Sequence, residues 1–457
     1  MNGLLLGLIA YLVLQVALGF WVGRKMANES DYLLAGRRLG YGLSTFTIFA
    51  TWFGAETCIG AAGAAYAGGL AAVTSEPFGY AIALVLFGLL VAVPLWRQKA
   101  TTLADLYRAR WGPAAEKLAV LLLVPSSVLW AAAQIRAFGQ VLGHVAGLEL
   151  ELAMTIAAAV VIVYTTAGGL LADAWTDLVQ GIVLILGLVL IIVVLFVVGD
   201  ATLAHVPPTH TDFRFGELSL LDHLEAWGPP VLGSLVAQEL AQRAMAARSP
   251  QVARRSTFMA AGIYFAVGLL PILIGLAALD LVPNLANPEQ VLLVVADQHL
   301  HGIFYVIFAG ALVSAILSTV DTALLVSGGL VAHNVILPLA PRLSDRQRLL
   351  VTRAAVAVLG VVAWALAFTS ESVYDIVEEA TALGSTGALT AFVFIWIPRF
   401  GGLAAAVAAM VVGPLVHALD KTFTWTPHPW SLSLGLALLA YVLVATGELA
   451  FRRPRVA

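Results

Sequence analysis

Apolar runs of about 20 residues recur along almost the whole chain, separated by short polar breaks, and this pattern leaves few folds open. About thirteen such runs begin near residues 3, 40, 72, 115, 149, 175, 222, 256, 302, 350, 373, 400 and 431. Each is long enough to cross a bilayer as a helix, so the chain reads as an all-α polytopic membrane protein. Composition agrees, because only 11% of the 457 residues are charged, against about 25% in ordinary soluble domains. The longest polar stretches, Asp200 to Leu221 and Asp280 to Gly302, are too short for a soluble domain. Cys58 is the single cysteine, which excludes an intrachain disulfide and any multi-cysteine metal site, and no transition metal is expected. No G-x-x-x-x-G-K-S/T phosphate cradle occurs, arguing against direct drive by ATP. His205, His210 and His223 lack the i, i+4 pairing of a zinc helix and read as solvated loop residues.

Charge placement sets the orientation. The first run, Gly3 to Val22, has no basic residue before it and Arg24 and Lys25 just after it, the reverse of a cleavable signal peptide. With the N-terminus outside and the C-terminus cytoplasmic, all of the 24 basic residues except Arg136, Arg214 and Lys421 fall in cytoplasmic loops. The expected location is therefore the cell membrane, plasma or inner. Gln242 and Arg243 then close the seventh span on the cytoplasmic side and read as interface anchors.

One span carries a charge. In Ala311 to Leu325, ALVSAILSTVDTALL, helical spacing puts Ala315, Ser318, Asp321 and Thr322 on one face, leaving Leu317, Leu324 and Leu325 for lipid or neighbouring helices. An ionised Asp at mid-membrane costs about 2.5 to 3.5 kcal/mol, so Asp321 calls for an ion, a proton or a second charged residue as partner. Hard oxygens along one stripe suit a small hard cation, although hydroxyls alone also serve as helix-to-helix glue. Two other segments are unfriendly to helices: Thr51 to Gly63 and Gly228 to Ser234. Breaks at membrane depth are tolerated where they line a cavity, and these two lie five spans apart, as two inverted five-helix repeats would place them. The domain division expected is a single transporter domain over 1–457: a leading helix at 3–22, a first repeat at 40–199, an inverted second repeat at 222–397 and two trailing helices at 400–449.

Several blocks in order, DYLLAGRRLG, TTLADLYRARWG, YTTAGGLLADAWTDLVQG, AQRAMAARS and AILSTVDT, resemble the sodium:solute symporter family over nearly the whole chain. The resemblance implies a LeuT-like core, alternating access and sodium as the driving ion, with no organic cofactor. Carried over by position, the family's common sodium site falls on the carbonyls of Ala50, Phe53 and Ala315 and the hydroxyls of Ser318 and Thr319. A second cation site used by some members falls on Asp177, Ser318, Asp321 and Thr322, which makes one or two sodium ions the expected cargo. Asp321 stands where some relatives have Ser, and a proton in place of sodium stays open there. Asp177 also has a plain alternative as an N-terminal helix cap.

Within the family the likeness is nearest to the choline transporter branch, through ATWFG, PFGY, LWAAA and SAILSTVDT. Trp52, Tyr80 and Trp130 match three aromatics of that branch's cation cage, while Ala237 takes the place of a fourth, a Trp. Against sugar-transporting relatives, Glu56 and Glu76 match polar ligands but Ala237 and Tyr264 replace a key Asn and Lys. Glu56, Glu76 and Glu239 would set carboxylates around the cavity, favouring an ammonium; Arg136 would bind a substrate carboxylate or neutralise Glu76. Thr57 and Gln238, at the two breaks, complete the candidate substrate set. The function expected is a sodium-coupled symporter, not an enzyme, importing a quaternary-ammonium, cationic or zwitterionic solute. The alternatives are a proton-coupled transporter and a non-transporting solute sensor of the same fold. Partners expected are a small-molecule solute and the lipid bilayer, with no nucleic acid.

Overall fold

The computed structural model describes residues 3–24, 26, 28–199, 201–213, 218–369 and 372–451; Lys25, Arg214, Arg452, Arg453 and Arg455, which entered the charge argument, lie outside them. Among the described residues nine helical stretches are long and apolar enough to cross a membrane. The spans expected near 149 and 175 run together in Leu150–Val193, which is bent at Gly169 (φ 61°, ψ 172°). The bend is a reversal: the hydroxyls of Tyr164 and Thr176 hydrogen-bond at 2.6 Å, whereas a straight helix would hold residues twelve apart about 18 Å from each other along its axis. Only glycine takes this backbone easily, and a Cβ at Gly169 would meet the Tyr32 carbonyl at 3.0 Å. Gly169→Ala is expected to cost at least about 1–3 kcal/mol, read as a lowered midpoint in a thermal-unfolding series; an unchanged midpoint would mean that the bend relaxes.

Two helices are interrupted. The first runs Tyr41–Trp52, leaves helical geometry at Phe53 (φ −90°, ψ 72°), and resumes through a wide turn, Glu56–Gly60, into Ala61–Gly68. Gly54 permits this, because a Cβ there would collide with the Glu56 carboxylate. The second break lies further along than expected. Pro229 and Pro230 stay inside helix Leu220–Leu232, a short tight turn follows over Gly233–Val236, and the chain becomes extended at Ala237 (φ −69°, ψ 121°) before Gln238–Ala246. The Ser234 hydroxyl donates to the Pro230 carbonyl at 2.7 Å, and the Gly233 N–H still reaches the carbonyls of Gly228 and Pro229. With those bonds kept, the prolines bend the helix without ending it.

The helix Ile303–Leu330 lies at the centre of the molecule. Every residue from Phe308 to Leu330 is buried, including Leu317, Leu324 and Leu325, so none of these leucines faces lipid. It packs on Leu150–Val193, on Pro113–Ala146 and on the first interrupted helix. A helix buried on every side belongs in the middle of a bundle, and the hydroxyl-bearing face of this one meets the first break.

Candidate functional site

Ser318 and Thr319 reach directly into the first break. Ser318 Oγ lies 2.8 Å from the Ala50 carbonyl and 2.9 Å from that of Ala315. Thr319 Oγ1 lies 2.9 Å from the Thr51 carbonyl and 3.1 Å from that of Ala315. The carbonyls near the end of Tyr41–Trp52 have lost their usual partners one turn on, and the hydroxyls of the facing helix take them up. Two helices thus bring five neutral oxygens together. Phe53 is where the helix ends, and Thr51, which the sequence reading passed over, supplies a carbonyl to the cluster.

Beyond it lies a charged cluster. Asp173, Asp177 and Asp321 are buried, each with a carboxylate oxygen within 4.8 Å of the others. Thr47 donates to Asp177, and the Thr322 hydroxyl donates to the Ser318 carbonyl at 2.9 Å. The partner that Asp321 demanded is this cluster together with Arg243. Arg243, expected as an interface anchor, is completely buried; its guanidinium donates to Asp173 and to the Thr322 hydroxyl and stands 3.8 Å from Asp177. Gln242 is buried beside it and accepts from Arg243 at 3.3 Å. Neither reaches the interface: Arg243 makes a charge-assisted hydrogen bond to the buried carboxylate of Asp173, and Gln242 stays beside it. Asp177 is no helix cap either, since it stands two turns beyond the bend at Gly169 with its side chain buried. Asp173 went unnoticed, although it lies four residues before Asp177 in an apolar run and the rule applied to Asp321 points equally to it.

A cavity of about 50 Å³ is lined by Trp52, Tyr80 and Trp130 from around the first break and by Ala237, Gln238 and Glu239 from the second. The rings meet edge to face, Trp52 with Tyr80 at 6.2 Å and Trp52 with Trp130 at 5.5 Å. Glu239 accepts from the Ser127 hydroxyl, and Gln238 accepts from the Leu103 N–H at 2.7 Å. Ser126, Thr381 and Ser385, none of them foreseen, add hydroxyls. The other expected ligands are not among the residues that line it. Glu56 accepts from Trp130 Nε1 at 3.0 Å and from Gln134 Nε2 at 2.7 Å. Glu76 accepts from Tyr264, whose hydroxyl also meets that of Thr57 at 3.0 Å. Arg136 donates to the Ala367 carbonyl at 3.3 Å instead of pairing with Glu76. Glu56, Thr57, Glu76, Arg136 and Tyr264 therefore do not line the cavity, since internal hydrogen bonds already hold them.

Tyr80 and Thr381 also border a wide vestibule of about 820 Å³. Their hydroxyls hydrogen-bond at 3.2 Å, between the narrow cavity and the open one. Asp222, Glu225 and Glu379 line the vestibule, with Lys421, His417 and His428.

A sequence model of the sodium:solute symporter family matches residues 32–413. The chain belongs to this family. Among the relatives of this symporter, the high-affinity choline transporter 1 of Caenorhabditis elegans is 28% identical over 416 residues, covering 81% of this chain and 70% of that protein. The human high affinity choline transporter 1 is 26% identical over 403 residues, 81% of this chain and 69% of the other. The osmoregulated proline transporter OpuE of Bacillus subtilis (strain 168) is 26% identical over 431 residues, 90% of this chain and 87% of the other. The fold is shared with a Na+-coupled sialic acid symporter in a substrate-bound outward-open state, at a TM-score of 0.84 and 17% identity over 98% of both chains. Mhp1, a nucleobase-cation-symport-1 family transporter, superposes with a TM-score of 0.60 at 16% identity, over 92% of this chain and 95% of that one. This symporter thus has the LeuT-like core of inverted repeats, carries solute and is not an enzyme.

Proposed function

We propose that this symporter imports a small solute with a quaternary-ammonium or other cationic head, one sodium binding event driving each inward step by alternating access. The observation that carries the reading is that Trp52, Tyr80 and Trp130 line one cavity together with Glu239. Ring faces attract a cation by about 2 kcal/mol or more once water is excluded, and the Glu239 carboxyl in the same cavity favours a cationic head further. The acids of the vestibule lie on the side that the basic-residue distribution assigns to the exterior, where Lys421 pairs with Glu379 and His428 with Asp222. The repeats are assigned to 40–199 and 222–397.

Sodium is assigned to the carbonyls of Ala50, Phe53 and Ala315 and the hydroxyls of Ser318 and Thr319. Ion binding there orders the first break, and Trp52 stands at its edge; sodium thereby prepares the aromatic wall, and solute strengthens sodium binding by the same free energy. The choline transporter relatives favour a choline-like solute. The proline transporter relative favours a second reading, a zwitterion whose carboxylate would take the hydroxyls of Ser126 and Ser385.

Uptake into proteoliposomes tests the coupling. A sodium gradient is expected to drive accumulation of radiolabelled choline or proline, and a pH gradient without sodium is expected to leave it at equilibrium. Accumulation driven by the pH gradient alone would replace sodium by protons. Solute-specific stabilisation with no counterflow would favour the sensor.

A further inference from the structure

The last helix, Pro429–Phe451, reaches the lining of the solute cavity through one side chain. The Trp430 indole N–H donates to the Ser385 hydroxyl oxygen at 2.9 Å. Ser385 lines the solute cavity, Trp430 lines the vestibule, and both are buried. Trp430 is held in place twice. Its backbone N–H and that of Ser431 donate to the Glu225 carboxylate at 2.7 and 2.8 Å, a favourable seat for negative charge at the start of a helix. Its ring packs so closely on Gly228 that a Cβ there would collide with it. Glu225 and Gly228 both belong to Leu220–Leu232, the helix that leads into the second break. An indole N–H only donates, so Ser385 Oγ accepts from Trp430 and keeps its own proton for another oxygen. That proton goes to the Ala382 carbonyl at 3.2 Å, longer than an O–H···O bond normally is. The other serine and threonine hydroxyls among the described residues of the lining are held more tightly: Ser127 donates to Glu239 at 2.5 Å, Ser126 to Ala380 at 2.6 Å, Ser234 to Pro230 at 2.7 Å and Thr381 to Val377 at 2.9 Å. Ser385 is thus the hydroxyl whose proton is most easily turned to a solute.

We propose that Trp430 is a positioning residue for solute recognition: it commits Ser385 to donate, so that the cavity selects a solute carrying an oxygen acceptor, hydroxyl or carboxylate, in addition to its cationic head. The inference rests on the cationic-solute reading given above and adds the second recognised group. The indole fixes the Ser385 rotamer before the solute arrives, and a donor arranged in advance loses less freedom on binding.

Competition binding to the purified protein in sodium tests this with three trimethylammonium solutes of similar size: n-propyltrimethylammonium without oxygen, choline with a hydroxyl and glycine betaine with a carboxylate. The wild type is expected to hold choline, betaine or both at least about fivefold more tightly than the propyl compound, the worth of one neutral hydrogen bond, and the one it favours identifies the acceptor. Ser385→Ala should erase that preference. Trp430→Phe keeps a ring but frees Ser385 among its staggered rotamers, so the preference is expected to fall roughly threefold, one rotamer being productive among three; in the Ser385→Ala background the same substitution should change it no further. A wild type with no preference for either oxygen-bearing solute overturns the inference whether or not the variants fold. So does a Trp430→Phe loss that is equal for all three solutes, which would reduce the indole to packing, or a change of preference that persists in the Ser385→Ala background. Failure of all three solutes to bind the wild type would instead remove the cationic reading, and this inference with it.

Discussion

Alanine at both Ser318 and Thr319 is expected to abolish the stabilisation that sodium confers on the purified protein. A ligand present at 100 times its Kd and bound only by the native state adds about 2.7 kcal/mol, so the wild-type melting curve in sodium should lie well above that in potassium, whereas the two curves of the double variant should coincide. The argument is geometric. Ser318 and Thr319 supply the only side-chain oxygens assigned to the site, and both lie within 3.1 Å of backbone carbonyls that a cation would share. Loss of the hydroxyls also removes hydrogen bonds worth about 1 kcal/mol each, which lowers both curves alike. The difference between salts is therefore the decisive readout, and its survival at full size would place the ion elsewhere.

Alanine at Trp130 is expected to weaken choline binding roughly 30-fold, the equivalent of about 2 kcal/mol of lost cation attraction, and to weaken 3,3-dimethylbutanol, its neutral isostere, far less. Trp130 has a second role that must be kept separate, because its indole N–H donates to Glu56 at 3.0 Å. Phenylalanine at this position keeps a ring and loses that bond. Trp130→Phe should thus retain most of the preference for the charged ligand, while Trp130→Ala should erase it. Competition binding with the two isosteres gives both numbers. Equal losses for charged and neutral ligands would remove the aromatic wall from the account of specificity.

The sites divide along the same physical line. Some positions follow from their own segment: Ser318 lies on the face that helical spacing assigns it, and the interruption after Trp52 falls inside Thr51 to Gly63, the stretch unfriendly to helices, whereas Thr319 enters through the family resemblance alone. Residues whose part depends on a distant helix are misread. Glu56 and Glu76 look like free ligands until Gln134, Trp130 and Tyr264 are packed against them. Ser126, Thr381 and Ser385 carry no local signal at all, since isolated hydroxyls in apolar helices are common.

The bilayer explains what could be read along the chain without coordinates. It acts on each segment separately, demanding about 20 apolar residues per crossing, penalising unpaired charge and keeping basic loops on one side, so the all-helical class, the charged central helix and the paired breaks are written linearly. Packing between helices obeys no such one-dimensional rule. That Arg243 meets Asp173, 70 residues away, and turns from a surface anchor into a buried cation follows from how three helices converge, and convergence leaves no trace in local spacing. The same holds for the exact place of the second break, where retained hydrogen bonds carry the helix past two prolines and release it only at Ala237.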